Sequence, residues 1–250
     1  MARMKSGKLS GAGFSTAVEA RVFSSNSDGM ETALIIGASG GIGSALREHL
    51  QARGITVRCL SRSVHGFDLT RPDVAEPMLA ALAGPFDLII VASGALEIAG
   101  AGPEKSMRAV TAQAMMDQFA LNAVGPALVL KHAQRLLPRD RRSVIAVLSA
   151  RVGSIGDNRL GGWVSYRAAK AAVNQIAHTA AIELKRTHKQ ALCVALHPGT
   201  VKTAFTEKYL GRHPAVAPEE AAANLLAVLN GLHPADTGGF FDWAGQPVPW

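Results

Sequence analysis

The sequence predicts a doubly wound α/β fold, a single domain with one mostly parallel sheet and helices on both of its faces. Three observations carry this. Short apolar runs of strand length alternate with longer stretches of helical spacing from residue 32 almost to the C-terminus, the pattern of repeated strand–helix–strand units. The first apolar run passes directly into a glycine-rich turn and then a helical pattern. The 250 residues contain no internal repeat and no composition break that would mark a second domain, and that length suffices for one large core.

Residues 1–29 stand apart from this alternation. They are rich in Ser, Gly and small residues, with Arg3, Lys5, Lys8 and Arg21 set against Glu19 and Asp28, and they show no sustained periodicity. The absence of a compact apolar stretch argues against a secretory signal. Three readings stay open: a disordered tail, a basic organellar transit segment, or residues upstream of a start at Met30. The folded domain is therefore expected over residues 30–250.

Thr32–Ile36 reads as a buried strand, followed by Gly37-Ala38-Ser39-Gly40-Gly41-Ile42-Gly43 and a helix from Ser44 to about Arg53. Glycine at 37, 41 and 43 permits a tight turn, close backbone approach to a pyrophosphate and close helix–strand packing. The N–H groups at the start of the helix then face phosphates. Gly37, Ser39, Gly41, Ile42 and Gly43 are accordingly assigned to a dinucleotide, and the fold to the Rossmann type.

Thr56–Leu60 is the second strand, and it ends in Ser61-Arg62. An NAD site places Asp or Glu about there, for the ribose hydroxyls. A guanidinium instead pairs with a 2′-phosphate that a carboxylate would repel. Arg62 therefore selects NADP(H), with Asp68 and Leu69 expected beside the adenine. A helix ending between Met78 and Ala83 leads to a third strand, Asp87–Val91, with Gly94 just beyond it. A long helix is predicted from about Ala112 to Leu137, then a fourth strand over Ser143–Leu148 and a helix over Trp163–Thr187. Ala191–Leu196, a helix from Pro218 to Leu229 and a short strand at Gly238–Asp242 complete the series.

Composition narrows the function. Hydrophobic residues make up 48% and charged residues 18%, as in a soluble globular enzyme, and no apolar run is long enough to span a membrane. Cys59 and Cys193 each lie in an apolar strand-like run, which excludes a disulfide framework or cysteine metal site and fits a reducing, cytoplasmic compartment. The formal charge of +7 is spread along the chain without a dense stripe or interleaved aromatics, which argues against nucleic acid.

The chemistry centres on Tyr166 and Lys170, four residues apart on one face of the Trp163–Thr187 helix. A fixed ammonium favours the tyrosinate and is expected to lower a phenol that starts near ~10, bringing it towards the range in which a general acid works best.

Gly37-x-x-x-Gly41-x-Gly43, Asn122, Tyr166-x-x-x-Lys170 and Pro198-Gly199-x-x-x-Thr203 occur together in that order. Through them, residues 30–250 resemble the short-chain dehydrogenase/reductase family. Ser149 to Asn158, Gly161-Gly162-Trp163 and the ending Phe241 to Trp250 are similar to its C-factor-like, carbonyl reductase-like members. The resemblance implies hydride exchange between NADP(H) and a small carbonyl or alcohol substrate, with Tyr166 protonating the carbonyl oxygen. Lys170 would hold the nicotinamide ribose, and Asn122 would keep a proton relay to Lys170. Gly94, Pro198, Gly199, Val201 and Thr203 would complete the cofactor site, and a homodimer or homotetramer is implied.

Two departures matter. Val91-Ala92-Ser93-Gly94 stands where the family has Asn-Asn-Ala-Gly, and Ser149-Ala150 stands where it has a serine pair. Ser149 is assigned the carbonyl-polarising role, with Ser154 the less favoured substitute; losing such a donor costs roughly 10²–10³ in rate. A C-factor-like signalling protein with weak or no turnover is the alternative. Phe205, Tyr209, Leu210 and His213 are expected to cover the substrate. Few other charged groups are expected near the pocket, which points to a small or medium uncharged carbonyl.

Overall fold

The computed structural model describes residues 29–204, 206–209 and 214–250. All but the last residue of the N-terminal extension, together with Phe205, Leu210, His213 and the side chain of Tyr209, therefore lie outside the described residues.

The elements run β1 (Thr32–Ile36), α1 (Gly41–Gln51), β2 (Thr56–Leu60), α2 (Arg62–His65), α3 (Pro72–Ala80), β3 (Leu88–Val91), α4 (Ala112–Phe119), α5 (Gly125–Lys131), α6 (Ala133–Leu136), β4 (Ser143–Leu148), α7 (Val164–Thr187), β5 (Ala191–His197), α8 (Pro218–Gly231) and β6 (Phe240–Asp242). Six strands form one sheet in the order β2-β1-β3-β4-β5-β6. Every pairing is parallel, so the sheet is wholly rather than mostly parallel.

Both faces of the sheet are buried, and the pleat divides them by period two. Leu34, Ile36, Ile89, Val91, Ile145, Val147, Cys193 and Ala195 face α3, α5, α6 and α7. Ala33, Ile35, Leu88, Ile90, Val144, Ala146, Leu192 and Val194 face α1 and α8. Continuous apolar strands with small residues on the covering helices are the sequence consequence of two-sided burial. The switch point lies between β1 and β3, where the chain first crosses the sheet in the opposite direction. Parallel sheets of this kind place ligands at the strands' carboxyl ends there.

The predicted helix over 112–137 is interrupted. Pro126 has no N–H to donate to the carbonyl of Asn122 four residues before it, and residues Ala120–Val124 take π-helical geometry. Asn122 sits in the middle of that segment. Gly125 then packs against Leu69, where a Cβ would lie 2.8 Å from the leucine Cβ.

The opposite edge of the sheet is tied by Asp87, whose side chain is 4% exposed. Its Oδ2 accepts from the N–H groups of Glu31 and Thr32 at 2.9 and 3.0 Å, and its Oδ1 pairs with Arg141 at 2.7 Å. Burial alone would raise this carboxyl, but the two backbone donors and the arginine outweigh it and hold it below the usual value. Asp87→Asn is expected to cost about 1–3 kcal/mol in urea unfolding. The loss should shrink as pH falls through the wild-type carboxyl's lowered value, because the wild type then loses the same charge.

Candidate functional site

The carboxyl ends of β1, β3, β4 and β5 bring four loops together, and close backbone approach decides how they meet. Gly37 follows β1 at φ +86°, and a Cβ there would lie 2.7 Å from Ser93 N in the loop after β3. At Gly41 a Cβ would lie 2.6 Å from Thr203 Cγ2, so the start of α1 abuts the loop after β5. At Gly43 it would strike the Gly37 carbonyl. No side chain caps α1, and no acidic residue occupies its first turn. An uncapped positive helix end beside a turn with no room for a Cβ at Gly37, Gly41 or Gly43 fits a pyrophosphate. Gly37, Ser39, Gly41, Ile42, Gly43 and Thr203 are the residues that would hold it.

Further out, Arg62 begins α2 and is exposed, and it makes no ion pair with a described carboxylate. Asp68 turns back on its own loop, its Oδ1 accepting from Thr70 N and Oγ1 at 2.9 and 2.7 Å. The Leu69 side chain belongs to the core, leaving its backbone for a ligand. Val201 is likewise buried and forms a parallel bridge with Val216. Gly199, at φ +76°, lies under Trp243, whose Cδ1 would be 2.9 Å from a Cβ there.

Lys170 lies at the centre. It is 3% exposed, its Nζ donates to the Leu148 carbonyl at 2.9 Å, and no described carboxylate pairs with it. Gly153 lets the chain after β4 pass under it, since a Cβ there would lie 2.8 Å from Lys170 Cβ. At Gly94 a Cβ would lie 2.9 Å from Asn122 Oδ1 and 3.5 Å from Lys170 Nζ. Gly94, Asn122 and Lys170 thus share one small space. Asn122 Nδ2 donates to Ala95 O at 2.9 Å and to Gln118 Oε1 at 2.7 Å. Its Oδ1 is buried and accepts no hydrogen bond from a described residue.

Tyr166 is 5% exposed, with the Lys170 Nζ 5.7 Å from its ring centroid. Burial pushes the phenol above its ordinary value, and it pushes Lys170 down to about 7. Both shifts oppose the sign expected from the ammonium's charge alone, because desolvation of two buried groups outweighs their mutual attraction.

Both serines considered for carbonyl polarisation have other partners. Ser149 Oγ lies under α7, 3.5 Å from the Lys170 carbonyl. Ser154 Oγ accepts from Asp157 N at 3.1 Å. A small cavity beside Tyr166 is walled by Ile98, Pro103, Glu104, Gln118 and Ser165, and neither serine reaches it. Glu104 is the one charged group among the residues that line this cavity. Nothing in its loop sequence marks it, whereas Gln118 could have been found four residues before Asn122 on one helix face. Among the described residues, no three His, Cys, Asp or Glu side chains meet to hold a metal. No described helix is long and apolar enough to cross a membrane.

A parallel sheet with a glycine cradle at its switch point and a buried Tyr–Lys–Asn cluster beside it defines a dinucleotide-dependent oxidoreductase. Residues 65–212 match the family model for short chain dehydrogenase, and the chain belongs to that family. It is 28% identical over 233 residues to the 1-hydroxy-2-glutathionyl-2-methyl-3-butene dehydrogenase of Rhodococcus sp. (strain AD45), covering 88% of this chain and all of that one. It is 34% identical over 140 residues to the C-signal of Myxococcus xanthus, covering 54% of this chain and 78% of that one. A short-chain dehydrogenase/reductase from Burkholderia multivorans with bound NADP superposes with a TM-score of 0.71 at 25% identity, over 88% of this chain and 100% of that one.

The Lys170 shift has a consequence for stability. The unfolded chain keeps this proton up to about 10.5, and the folded chain only up to about 7. Between those values the unfolded state binds more protons, so the group's contribution to stability rises with pH. The melting temperature of wild type relative to Lys170→Met is expected to climb between pH 7 and about pH 10 and to stay level below that window. Differential scanning fluorimetry across a buffer series checks it.

Proposed function

We propose that this protein is an NADP(H)-dependent reductase or dehydrogenase acting on a small or medium carbonyl or alcohol. The bound nicotinamide supplies or accepts hydride. The chain's own residues orient the substrate and move one proton. Tyr166 holds that proton at its phenol oxygen and gives it to the substrate oxygen as charge develops there. Lys170, on the next turn of the same face, holds the nicotinamide ribose, and its ammonium form favours the tyrosinate that proton transfer leaves behind. Asn122 completes the relay: its unpaired Oδ1 offers an acceptor beside Lys170, so that the proton can be replaced from solvent. That buried, unpartnered oxygen at the Gly94–Lys170 contact is the observation that carries the reading. Pro198, Gly199, Val201 and Thr203 flank the nicotinamide end.

Arg62 supports NADP(H) over NAD(H), since an exposed guanidinium at the end of β2, in no ion pair with a described carboxylate, suits a 2′-phosphate. The bound NADP in the Burkholderia multivorans relative and the hydroxyl-bearing substrate named for the Rhodococcus enzyme agree with this chemistry. The C-signal relative and Ala150 favour the second reading, a dinucleotide-binding signalling protein with little turnover.

NADPH consumption over a panel of aldehydes, ketones and diketones, with NADH alongside, separates the two. Turnover is expected with NADPH, and Tyr166→Phe should lower kcat by roughly 10²–10⁴ while the NADPH Kd measured by fluorescence stays put. Tight NADPH binding without turnover of any carbonyl would favour the signalling reading.

A second expectation concerns the carbonyl donor. Ser149 faces Lys170 rather than the cavity, so Ser149→Ala should change kcat by less than about tenfold. Ala150→Ser should raise it by roughly tenfold or more by restoring a hydroxyl to the substrate oxygen.

A further inference from the structure

Glu104 lies on the long loop between β3 and α4, and its side chain is buried at 7% exposure. It makes no ion pair with a described cation. Its partners are instead at the start of α7. Oε2 accepts from the Ser165 N–H at 3.2 Å, Oε1 accepts from the Ser165 hydroxyl, and the Glu104 carbonyl accepts from the Trp163 N–H at 2.5 Å. Burial alone would raise the carboxyl, yet the bonds from Ser165 hold it below its ordinary value.

The helix requires such a partner. Trp163, at the N-cap position of α7, provides no side-chain cap. The chain enters the helix through three consecutive left-handed residues, Gly161, Gly162 and Trp163, at φ +64°, +66° and +54°. A tryptophan in that region persists only where its surroundings over-determine it. Glu104 is one such constraint, and a carboxylate at a helix N-terminus is favoured both by the free N–H groups and by the helix dipole. Arg167 supplies the other constraint, donating to the carbonyls of Gly162, Val152 and Gly161 at 2.9, 3.2 and 3.2 Å.

Tyr166 adjoins both residues that Glu104 grips. It follows Ser165 in the chain, and its ring meets the Trp163 ring edge-on at 6.3 Å between centroids. The loop that carries Glu104 also supplies the cavity wall opposite Tyr166 through Ile98, Ala101, Gly102 and Pro103.

We propose that Glu104 is a positioning residue for Tyr166: its carboxylate caps the catalytic helix from a separate loop, setting the place of the phenol and the facing wall of the substrate pocket together. This rests on the reading of Tyr166 as proton donor for its catalytic part, and on the contacts alone for its structural part.

The chain has two tyrosines, Tyr166 and Tyr209. In the full-length Tyr209→Phe protein, ζ-¹³C-tyrosine therefore gives one NMR signal, from Tyr166 alone. The parent is expected to show one sharp signal, displaced from the free-tyrosine position by the Trp163 ring current. Glu104→Ala should move it back towards the free position or split it, and Glu104→Gln, which keeps one acceptor, should fall between. With the best carbonyl from the panel, kcat per NADPH-loaded site should drop about tenfold or more in Glu104→Ala while the NADPH Kd stays within about twofold. A merely architectural role would lower the melting temperature and leave both the Tyr166 signal and kcat per loaded site unchanged. That result, or a rise in KM alone, overturns the proposal. If Glu104→Ala does not fold, Ser165→Ala removes only the hydroxyl bond and reports by the same two readouts. If the wild-type protein turns over no carbonyl, the proton-donor reading fails on its own and the NMR arm still decides whether Glu104 places Tyr166.

Discussion

Everything at the carboxyl edge of the sheet is arranged around an ammonium that has been taken out of water without a counter-ion among the described residues. The Lys170 Nζ donates to the Leu148 carbonyl at the end of β4, and the space around it is closed by glycines. Gly153 brings the post-β4 turn against its backbone, and Gly94 brings the post-β3 loop within contact of its Nζ. An alanine at either place would push Lys170 or Asn122 aside. A buried cation is costly unless it is paired, and here the cost is met by partial loss of the charge itself, the value falling to about 7. The geometry of α7, of the π-helical turn carrying Asn122 and of two loops therefore answers to one side chain.

Because burial is the common cause, the shifts of Tyr166 and Lys170 run in opposite directions. The phenol keeps its proton and the amine loses its own more readily. This is the proper resting arrangement for a donor, since a phenol already ionised has nothing to give. In the proposed reaction an anionic dinucleotide beside Lys170 would favour the ammonium, and the ammonium in turn would favour the tyrosinate. The electrostatic aid to proton transfer would then be conditional on cofactor binding, tying the proposed chemistry to the loaded site.

The strands were legible because two-sided burial writes itself as uninterrupted apolar runs, and β1, β2 and β4 begin and end where Thr32–Ile36, Thr56–Leu60 and Ser143–Leu148 predict. The glycine turn and the Tyr166/Lys170 pair were legible because both are local spacings. What escaped was set by contacts remote in sequence. Glu104 and Ser165 are 61 positions apart, and no local pattern links them. The orientation of Ser149 depends on which side of β4's end faces α7, which the family alignment of Ser149-Ala150 does not supply. The π-helical turn at Ala120–Val124 could have been suspected from Pro126, whose missing N–H breaks the regular ladder at Asn122. The sign of the Tyr166 shift needed burial, a quantity no spacing contains.

The departure at Ala150 and the proposed relay point to different functions, and their energetic costs bear on the choice between them. A protein that only held a dinucleotide would need the glycine cradle and the uncapped start of α1. It would have no use for an unpaired ammonium and an unpaired amide oxygen buried side by side, each of which lowers stability for nothing. Asn122 has its nitrogen satisfied twice and its oxygen left over. Gln118 enforces that asymmetry: its Nε2 is committed to the Leu96 carbonyl at 2.9 Å, leaving only its oxygen to meet Asn122. Ala150, by contrast, removes one donor without leaving anything unsatisfied, a change that slows a reaction but does not dismantle it. The retained costs argue for turnover, and the missing hydroxyl argues only about its rate.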